Sequence, residues 1–153
     1  METQKVQIVH LQMVRDSMVP YGGEKLGCAY EAVELAKQLI PQADREYVIV
    51  CCVDSTMKPT SIEIAGTGGV NSCPIYCANL FKSAILSNAM GILMFHNHPS
   101  GDVTPSRDDY ECTERVQKAG EILGIPLIDH IILGDGDYYS FKEQNKLQEI
   151  RNK

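Results

Sequence analysis

Apolar and polar residues alternate along this chain in segments that predict both strands and helices. Apolar residues at two-residue spacing, or in short continuous runs, predict strands at 5–14, 46–54, 60–66, 91–96, 126–133 and 138–142. Apolar residues at three- and four-residue spacing predict helices at 28–40, 74–88 and about 104–123, followed by a charged tail at 143–153 that is a short or frayed helix. Because helices alternate with strands, we expect an α/β domain with a mixed sheet and helices packed around it.

Proline and glycine residues support several of these boundaries. Pro41 ends the first predicted helix at its predecessor, and Gly124 marks the end of the third. The run from Gly134 to Asp137 predicts a hairpin turn between the last two strands. The third helix begins at the sequence Thr104-Pro105-Ser106, where either Thr104 or Ser106 is suited to be the N-cap.

Length and composition limit the classes of protein to consider. The 153 residues are expected to form one domain over 1–153, with 44% hydrophobic and 22% charged residues. No apolar run approaches the roughly 18 residues of a membrane span, and the polar start of the chain does not resemble a signal peptide. The formal net charge of −6 gives no support to nucleic acid as a partner. The six cysteines do not resemble a disulfide scaffold, which favours a reducing compartment, the cytoplasm.

The candidate chemistry is concentrated where the 91–96 strand ends. His96 and His98 are two residues apart, so their side chains point the same way if the strand continues. Asp109 falls near the first turn of the following helix, and Asp108 is its rival. Two imidazoles and a carboxylate form the ligand set of a catalytic zinc site with one position open. This set predicts a metal-dependent hydrolase.

Other metal motifs fit the sequence less well. A zinc deaminase needs His-x-Glu with Pro-Cys-x-x-Cys, and a zincin needs His-Glu-x-x-His; this chain has neither. Cys73 and Cys77 lack a second ligand pair, so a structural metal there is not favoured. His130 lies in an apolar strand and is interpreted as a hydrogen-bonded structural histidine rather than a ligand.

The spacing His-x-His-Pro-x6-Ser-x2-Asp, met by His96, His98, Pro99, Ser106 and Asp109, resembles the JAMM motif of the JAB/MPN metalloprotease family. Further segments resemble the RadC branch of that family, and the resemblance covers about 43–143. These segments are Gly66-Thr67, the run from Phe81 to Leu86, the run from His96 to Gly101, the run from Asp129 to Ile132 and the run from Ser140 to Glu143. The chain departs from the family at Cys77-Ala78-Asn79, where Pro-Arg-Glu is common, and before residue 43, where longer members carry a helix-hairpin-helix-like region.

The resemblance implies a role for each matching residue. His96, His98 and Asp109 would be ligands of one Zn²⁺ per chain, and the motif register favours Asp109 over Asp108. Glu46 is the best positional match for the family's general acid/base, although Asp44, Asp54 and Glu63 compete with it. Ser106 would orient the attacking water or stabilise an oxyanion, with a plain N-cap role as the alternative.

The implied fold is the MPN domain, a curved mixed sheet packed with helices. The implied reaction is metallopeptidase- or isopeptidase-like hydrolysis of an amide bond in a peptide or protein substrate. A non-catalytic metal-binding or partner-recruiting module is the second hypothesis. The family's DNA-repair label is the third, and the charge of −6 gives it no physical support. The sequence leaves the substrate and the oligomeric state undetermined.

Overall fold

The computed structural model describes residues 1, 3–40, 44–68 and 75–153. Within these ranges, five strands form one mixed sheet in the order β2-β1-β3-β4-β5. The strands are β1 (Tyr47–Val53), β2 (Pro59–Thr67), β3 (Gly91–Asn97), β4 (Leu127–Leu133) and β5 (Tyr138–Ser140). The helices are α1 (Ala29–Lys37), α2 (Cys77–Leu86), α3 (Arg107–Leu123) and α4 (Lys146–Arg151). The prediction of an α/β domain with a mixed sheet packed by helices is confirmed.

The two central strands are apolar along their whole length because both of their faces are covered. All seven residues of β1 and all seven of β3 are buried. Alternate side chains of β1, such as Ile49 and Cys51, pack with α1 on one face of the sheet. The others, such as Val48 and Val50, pack with α2 and α3 on the opposite face. Two apolar cores therefore lie on either side of the sheet, which explains the continuous rather than alternating pattern of these strands.

The pairing of the strands follows from the lengths of their connections. β1 pairs antiparallel with β2 through a short turn, and also antiparallel with β3. β3 and β4 are parallel, since the long α3 connects them across one face of the sheet. β4 and β5 form the predicted hairpin. At the end of α3, Gly124 adopts the left-handed conformation (φ 70°) that favours glycine at a helix C-terminus.

The strand predicted at 5–14 is wrong. This segment forms neither strand nor helix, and the side chains of Val6 and Ile8 are 92% and 100% exposed. Alternation alone does not make a strand, because each strand needs a neighbour to take its backbone hydrogen bonds. Nothing in the described part of the chain pairs with residues 5–14.

The other predicted boundaries differ from the structure by a few residues. The return strand predicted at 138–142 ends at Ser140, and the chain then turns into α4. Ser106, rather than Thr104, is the N-cap of α3, and Pro105 lies before the helix. The start predicted for the second helix, at Pro74, lies outside the described residues, as does Cys73. The remaining five cysteines are free thiols.

A buried carboxylate fixes the turn that follows β5. Asp129 of β4 accepts hydrogen bonds from the Ser140 hydroxyl (2.5 Å) and the Lys142 backbone N–H (2.9 Å). Phe141 lies between Ser140 and Lys142 and is held in place by these contacts. Its ring lies against His130, the residue that follows Asp129 in β4. Burial raises the pKa of the Asp129 carboxyl to about 6, although the two hydrogen bonds oppose the shift.

This pKa predicts how the stability of the protein changes with pH. The folded-state pKa of Asp129 lies above its ordinary value of 3.8, so protonation favours the folded state. The stabilisation is present below about pH 4 and is lost as the pH rises through about 6. The free energy of unfolding of the wild type, relative to Asp129→Asn, is therefore expected to increase by about 1–3 kcal/mol from pH 7.5 to 5. Urea unfolding followed by circular dichroism measures it.

Asp135→Asn is the control, because Asp135 is exposed on the adjacent hairpin turn. It shows the effect on the free energy of unfolding of removing an exposed carboxylate from the same part of the fold. Parallel pH profiles for the wild type and Asp129→Asn would contradict the prediction.

Candidate metal centre

The end of β3 delivers two histidines to one side of the sheet. His96 lies in β3 opposite Val48 of β1, on the face covered by α2 and α3. His98 follows β3, and its backbone N–H continues the parallel ladder by donating to Leu133 O (2.9 Å). The strand conformation thus extends through His98, and the two side chains point the same way as predicted from their spacing. His96 is buried and His98 is half-buried.

The N-terminus of α3 brings Asp109 to the same place. Ser106 Oγ accepts from Asp109 N (3.1 Å), and the Asp109 carboxylate accepts from Ser106 N through Oδ2 (2.7 Å). This reciprocal pair is a capping box, in which the third residue of the helix is an aspartate. It fixes the carboxylate on the first turn and leaves Oδ1 to face His96. Asp108, the rival candidate, lies outside this cluster.

Three donor atoms converge at the centre of the site. His96 Nε2 lies 3.0 Å from His98 Nε2 and 3.1 Å from Asp109 Oδ1, and His98 Nε2 lies 3.3 Å from Asp109 Oδ2. Ligands placed around zinc at about 2.0–2.1 Å in a tetrahedron are separated by roughly 3.3 Å. The observed separations are close to this value, so the three residues can hold a metal ion.

The charges of these side chains depend on one another. Burial alone would raise the pKa of the Asp109 carboxyl, but hydrogen bonds with His96 and His98 hold this pKa well below its ordinary value. The same contact with Asp109 raises the pKa of His98, and the Asp102 carbonyl adds to the effect. The carboxylate is therefore an anion at neutral pH, as a ligand of a divalent cation must be.

A backbone carbonyl determines which nitrogen of His98 faces the cluster. His98 Nδ1 lies 2.7 Å from Asp102 O in the following loop. Because a carbonyl oxygen only accepts, Nδ1 carries a hydrogen, so in the neutral imidazole the lone pair is on Nε2, which faces the cluster. Gly134 lets this loop approach the end of β4, since a Cβ at that position would lie 2.5 Å from Gly101 O. The loop thus orients the His98 ring through Nδ1, the nitrogen that faces away from the cluster.

Glu46 reaches the site from a different strand. It immediately precedes β1, and continuing the register of Val48 with His96 by two residues places Glu46 opposite His98. Its side chain is half-buried, and its charge contributes to the raised pKa of His98. Glu46 is not one of the three clustered residues. Glu46 therefore lies beside the cluster without being part of it.

The competing acids lie in other environments. Asp54 is at the opposite end of β1, where its carboxylate accepts from the backbone N–H groups of Thr56 and Lys58. Asp44 forms an exposed ion pair with Arg45 at 2.9 Å. Glu63 lies opposite Val50, farther along the sheet from His96. Among the acids considered from the sequence, Glu46 is the one whose strand position faces the histidines.

Asn97 holds the segment around Glu46 in place, a role that the sequence reasoning missed. Its Oδ1 accepts from Tyr47 N (2.7 Å), and its Nδ2 donates to Arg45 O (2.9 Å). The backbone on both sides of Glu46 is therefore tied to the residue between the two histidines. The sequence did contain a signal for this role. Asn97 is the middle residue of His-x-His, so its side chain points to the face of the strand opposite the two histidines.

His130 and Thr113 complete the surroundings of His96. His130 Nε2 lies 2.8 Å from His96 Nδ1, on the side of the ring away from Asp109. Thr113 Oγ1 contacts His130 Nδ1 at 2.7 Å. The structure therefore shows His130 as a hydrogen-bonded residue behind the cluster, as interpreted from the sequence. Thr113 was missed, although its spacing of four residues from Asp109 places both on one side of the helix.

The fold and the site together define the class of protein: an α/β domain with a His-His-Asp group suited to a metal ion. A family model described as "RadC-like JAB domain" matches residues 26–147. The chain belongs to this family, which confirms the resemblance found in the sequence.

Several similar proteins carry the name UPF0758 protein. The one from Thermotoga maritima is 37% identical over 124 residues, which cover 81% of this chain and 55% of the relative. The one from Caldanaerobacter subterraneus is 39% identical over 114 residues, which cover 74% of this chain and 49% of the relative. The one from Carboxydothermus hydrogenoformans is 42% identical over 100 residues, which cover 65% of this chain and 44% of the relative. The chain thus spans about half the length of the curated relatives it matches.

Proposed function

We propose that this protein is a zinc-dependent hydrolase of the JAMM type that cleaves an amide bond in a peptide or protein substrate. The observation that carries the proposal is the convergence of His96 Nε2, His98 Nε2 and an Asp109 carboxylate oxygen at separations of 3.0–3.3 Å. Membership in the RadC-like JAB family supports the same chemistry. One zinc ion per chain is the proposed stoichiometry.

The donor set favours zinc over harder cations. Two neutral imidazole nitrogens and one carboxylate oxygen match catalytic zinc sites, whereas magnesium and calcium prefer oxygen ligands throughout. Zinc in a site with three protein ligands supplies Lewis acidity and activates water near neutral pH. His96, His98 and Asp109 would hold the ion and leave it able to take up water or substrate.

Two side chains of the protein would carry out proton transfer and oxyanion stabilisation. Glu46 would take a proton from the attacking water and return it to the leaving amine, since it faces His98 without joining the ligand cluster. Ser106 would donate its hydroxyl hydrogen to the developing oxyanion, because its Oγ acts only as an acceptor, from Asp109 N, among the described hydrogen bonds. Its N-cap role and this role are compatible.

None of the helices in the described residues is long and apolar enough to cross a membrane. The described cysteines are free thiols, three of them buried. This thiol chemistry supports our proposal of a reducing compartment, the cytoplasm, as its location.

The metal assignment predicts about one zinc per chain after dialysis against a weak chelator, measured by elemental analysis of the purified protein. His96→Ala and Asp109→Ala should each lose most of the metal, because each leaves only two of the three donors. His10→Ala should retain it, since His10 is exposed in the N-terminal segment. Full zinc stoichiometry in the His96→Ala/Asp109→Ala double variant would rule out the assignment.

The proton-transfer role predicts that Glu46→Gln retains zinc but cleaves peptides about 10²–10⁴-fold more slowly than the wild type. Incubation with a mixed peptide library, followed by mass spectrometry of the products over time, measures the rates. Asp54→Asn serves as the control, because Asp54 lies at the far end of β1. An unchanged rate in Glu46→Gln would assign the proton transfer to another group.

The same two experiments separate the enzyme from a non-catalytic module. Wild-type protein that binds zinc but cleaves no member of the peptide library would favour a metal-binding domain that recruits a partner.

A role in DNA repair would require contact with nucleic acid, for which a net charge of −6 gives no electrostatic basis. We expect no binding to single- or double-stranded DNA in a fluorescence anisotropy titration, even at low salt. Binding that weakens steeply as salt is added would support the repair hypothesis instead.

A further inference from the structure

A line of buried hydrogen bonds runs from His96 back to the helix that carries Asp109. His96 Nδ1 contacts His130 Nε2 at 2.8 Å, and His130 Nδ1 contacts Thr113 Oγ1 at 2.7 Å. Thr113 Oγ1 in turn contacts the backbone oxygen of Asp109 at 2.6 Å. His130 and Thr113 are both 0% exposed. Bulk water therefore does not compete for these groups, and their donors and acceptors must satisfy one another.

The last member of this line fixes the direction of every hydrogen bond in it. The Asp109 carbonyl oxygen can only accept, so the Thr113 hydroxyl donates its single hydrogen to it. Thr113 Oγ1 must then accept from His130 Nδ1–H. His130 is fully buried, and its described hydrogen bonds are to Thr113 and His96 rather than to a carboxylate, so the neutral imidazole is the favoured form. A neutral His130 with its hydrogen on Nδ1 has a lone pair on Nε2, which accepts from His96 Nδ1–H.

We infer that His130 and Thr113 are positioning residues that hold the hydrogen of His96 on Nδ1 and so leave Nε2 as its metal-binding nitrogen. This inference rests on the proposed metal centre. His96 Nε2 is the nitrogen that faces Asp109 Oδ1 and His98. His98 is held in the same tautomer by the Asp102 carbonyl. Outer hydrogen bonds of this kind fix ligand orientation and commonly change metal affinity about 10–100-fold.

A purely structural role for His130 makes a different prediction. Its ring stacks on Phe141 with centroids 4.7 Å apart and an angle of 7° between the planes. Stacking would hold the ring in place without any need for the Thr113 hydroxyl. A substitution at Thr113 therefore distinguishes the positioning role of His130 from a purely structural one. Thr113 contacts His130 through its hydroxyl, and in the described contacts it does not touch the side chains of the proposed metal ligands.

The first experiment reads the tautomers directly in wild-type protein. Long-range proton–nitrogen correlation spectra report which ring nitrogen carries hydrogen, and the chain has four histidines to assign. We expect His130 to be neutral with its hydrogen on Nδ1, and His96 to carry hydrogen on Nδ1, both with and without zinc. A hydrogen on His130 Nε2 would overturn the inference, because His130 would then donate to His96.

The second experiment measures zinc affinity by competition with a chromophoric chelator. Thr113→Val keeps the branched shape of the side chain but cannot accept from His130, so the Nε2–H tautomer becomes available. We expect about 10–100-fold weaker zinc binding and a mixture of His130 tautomers. Thr113→Ser, which retains the hydroxyl, should restore both properties.

Ser83→Ala is the matched control for losing a buried hydroxyl away from the site, since Ser83 lies in α2 near Cys52. It should bind zinc as the wild type does. Wild-type affinity in Thr113→Val would overturn the inference. Failure of the wild type to bind zinc would instead refute the proposed metal centre, while the tautomers of the metal-free protein would still test the hydrogen-bond direction.

Discussion

The antiparallel pairing of β1 with β3 is the constraint on which the site depends. These strands are buried on both faces, so their register cannot slip without exposing apolar side chains and unpairing backbone groups. The register places Val48 opposite His96 and thereby brings Glu46 beside His98, although about fifty residues separate them in the chain. Asn97 adds side-chain hydrogen bonds to the backbone of Arg45 and Tyr47, which fix the strand where the ladder ends.

The N-terminus of α3 supplies the third candidate ligand by using one carboxylate for two purposes. Asp109 accepts from the Ser106 backbone through Oδ2, which caps the helix, while Oδ1 faces His96. An acidic group on the first turn is also favoured by the positive end of the helix dipole. The start of the helix and the ligand geometry are therefore coupled, so that a change in either would disturb the other.

Hydrogen bonds orient the two candidate histidine ligands from the side away from Asp109. His98 is oriented by a loop carbonyl, and His96 by a line of side chains that ends at the backbone of Asp109. The positions of all these groups lie within the segment matched by the RadC-like JAB family. The proposed chemistry thus belongs to the domain that the chain shares with its relatives, over about half of their length.

The sequence alone determined the features that depend on near neighbours. The apolar runs predicted β1 and β3, the spacing of His96 and His98 placed them on one face, and Thr104-Pro105-Ser106 marked the start of a helix. Local periodicity and capping chemistry act over a few residues, so a single sequence displays them. The tertiary structure decided everything that needs a distant partner. Among the residues that the structure describes, it gave 5–14 no neighbouring strand, brought Glu46 rather than Asp54 or Glu63 to the histidines, and placed His130 and Thr113 behind His96. Strand pairing and buried hydrogen bonds join residues far apart in the chain, and no local pattern records which of them will meet.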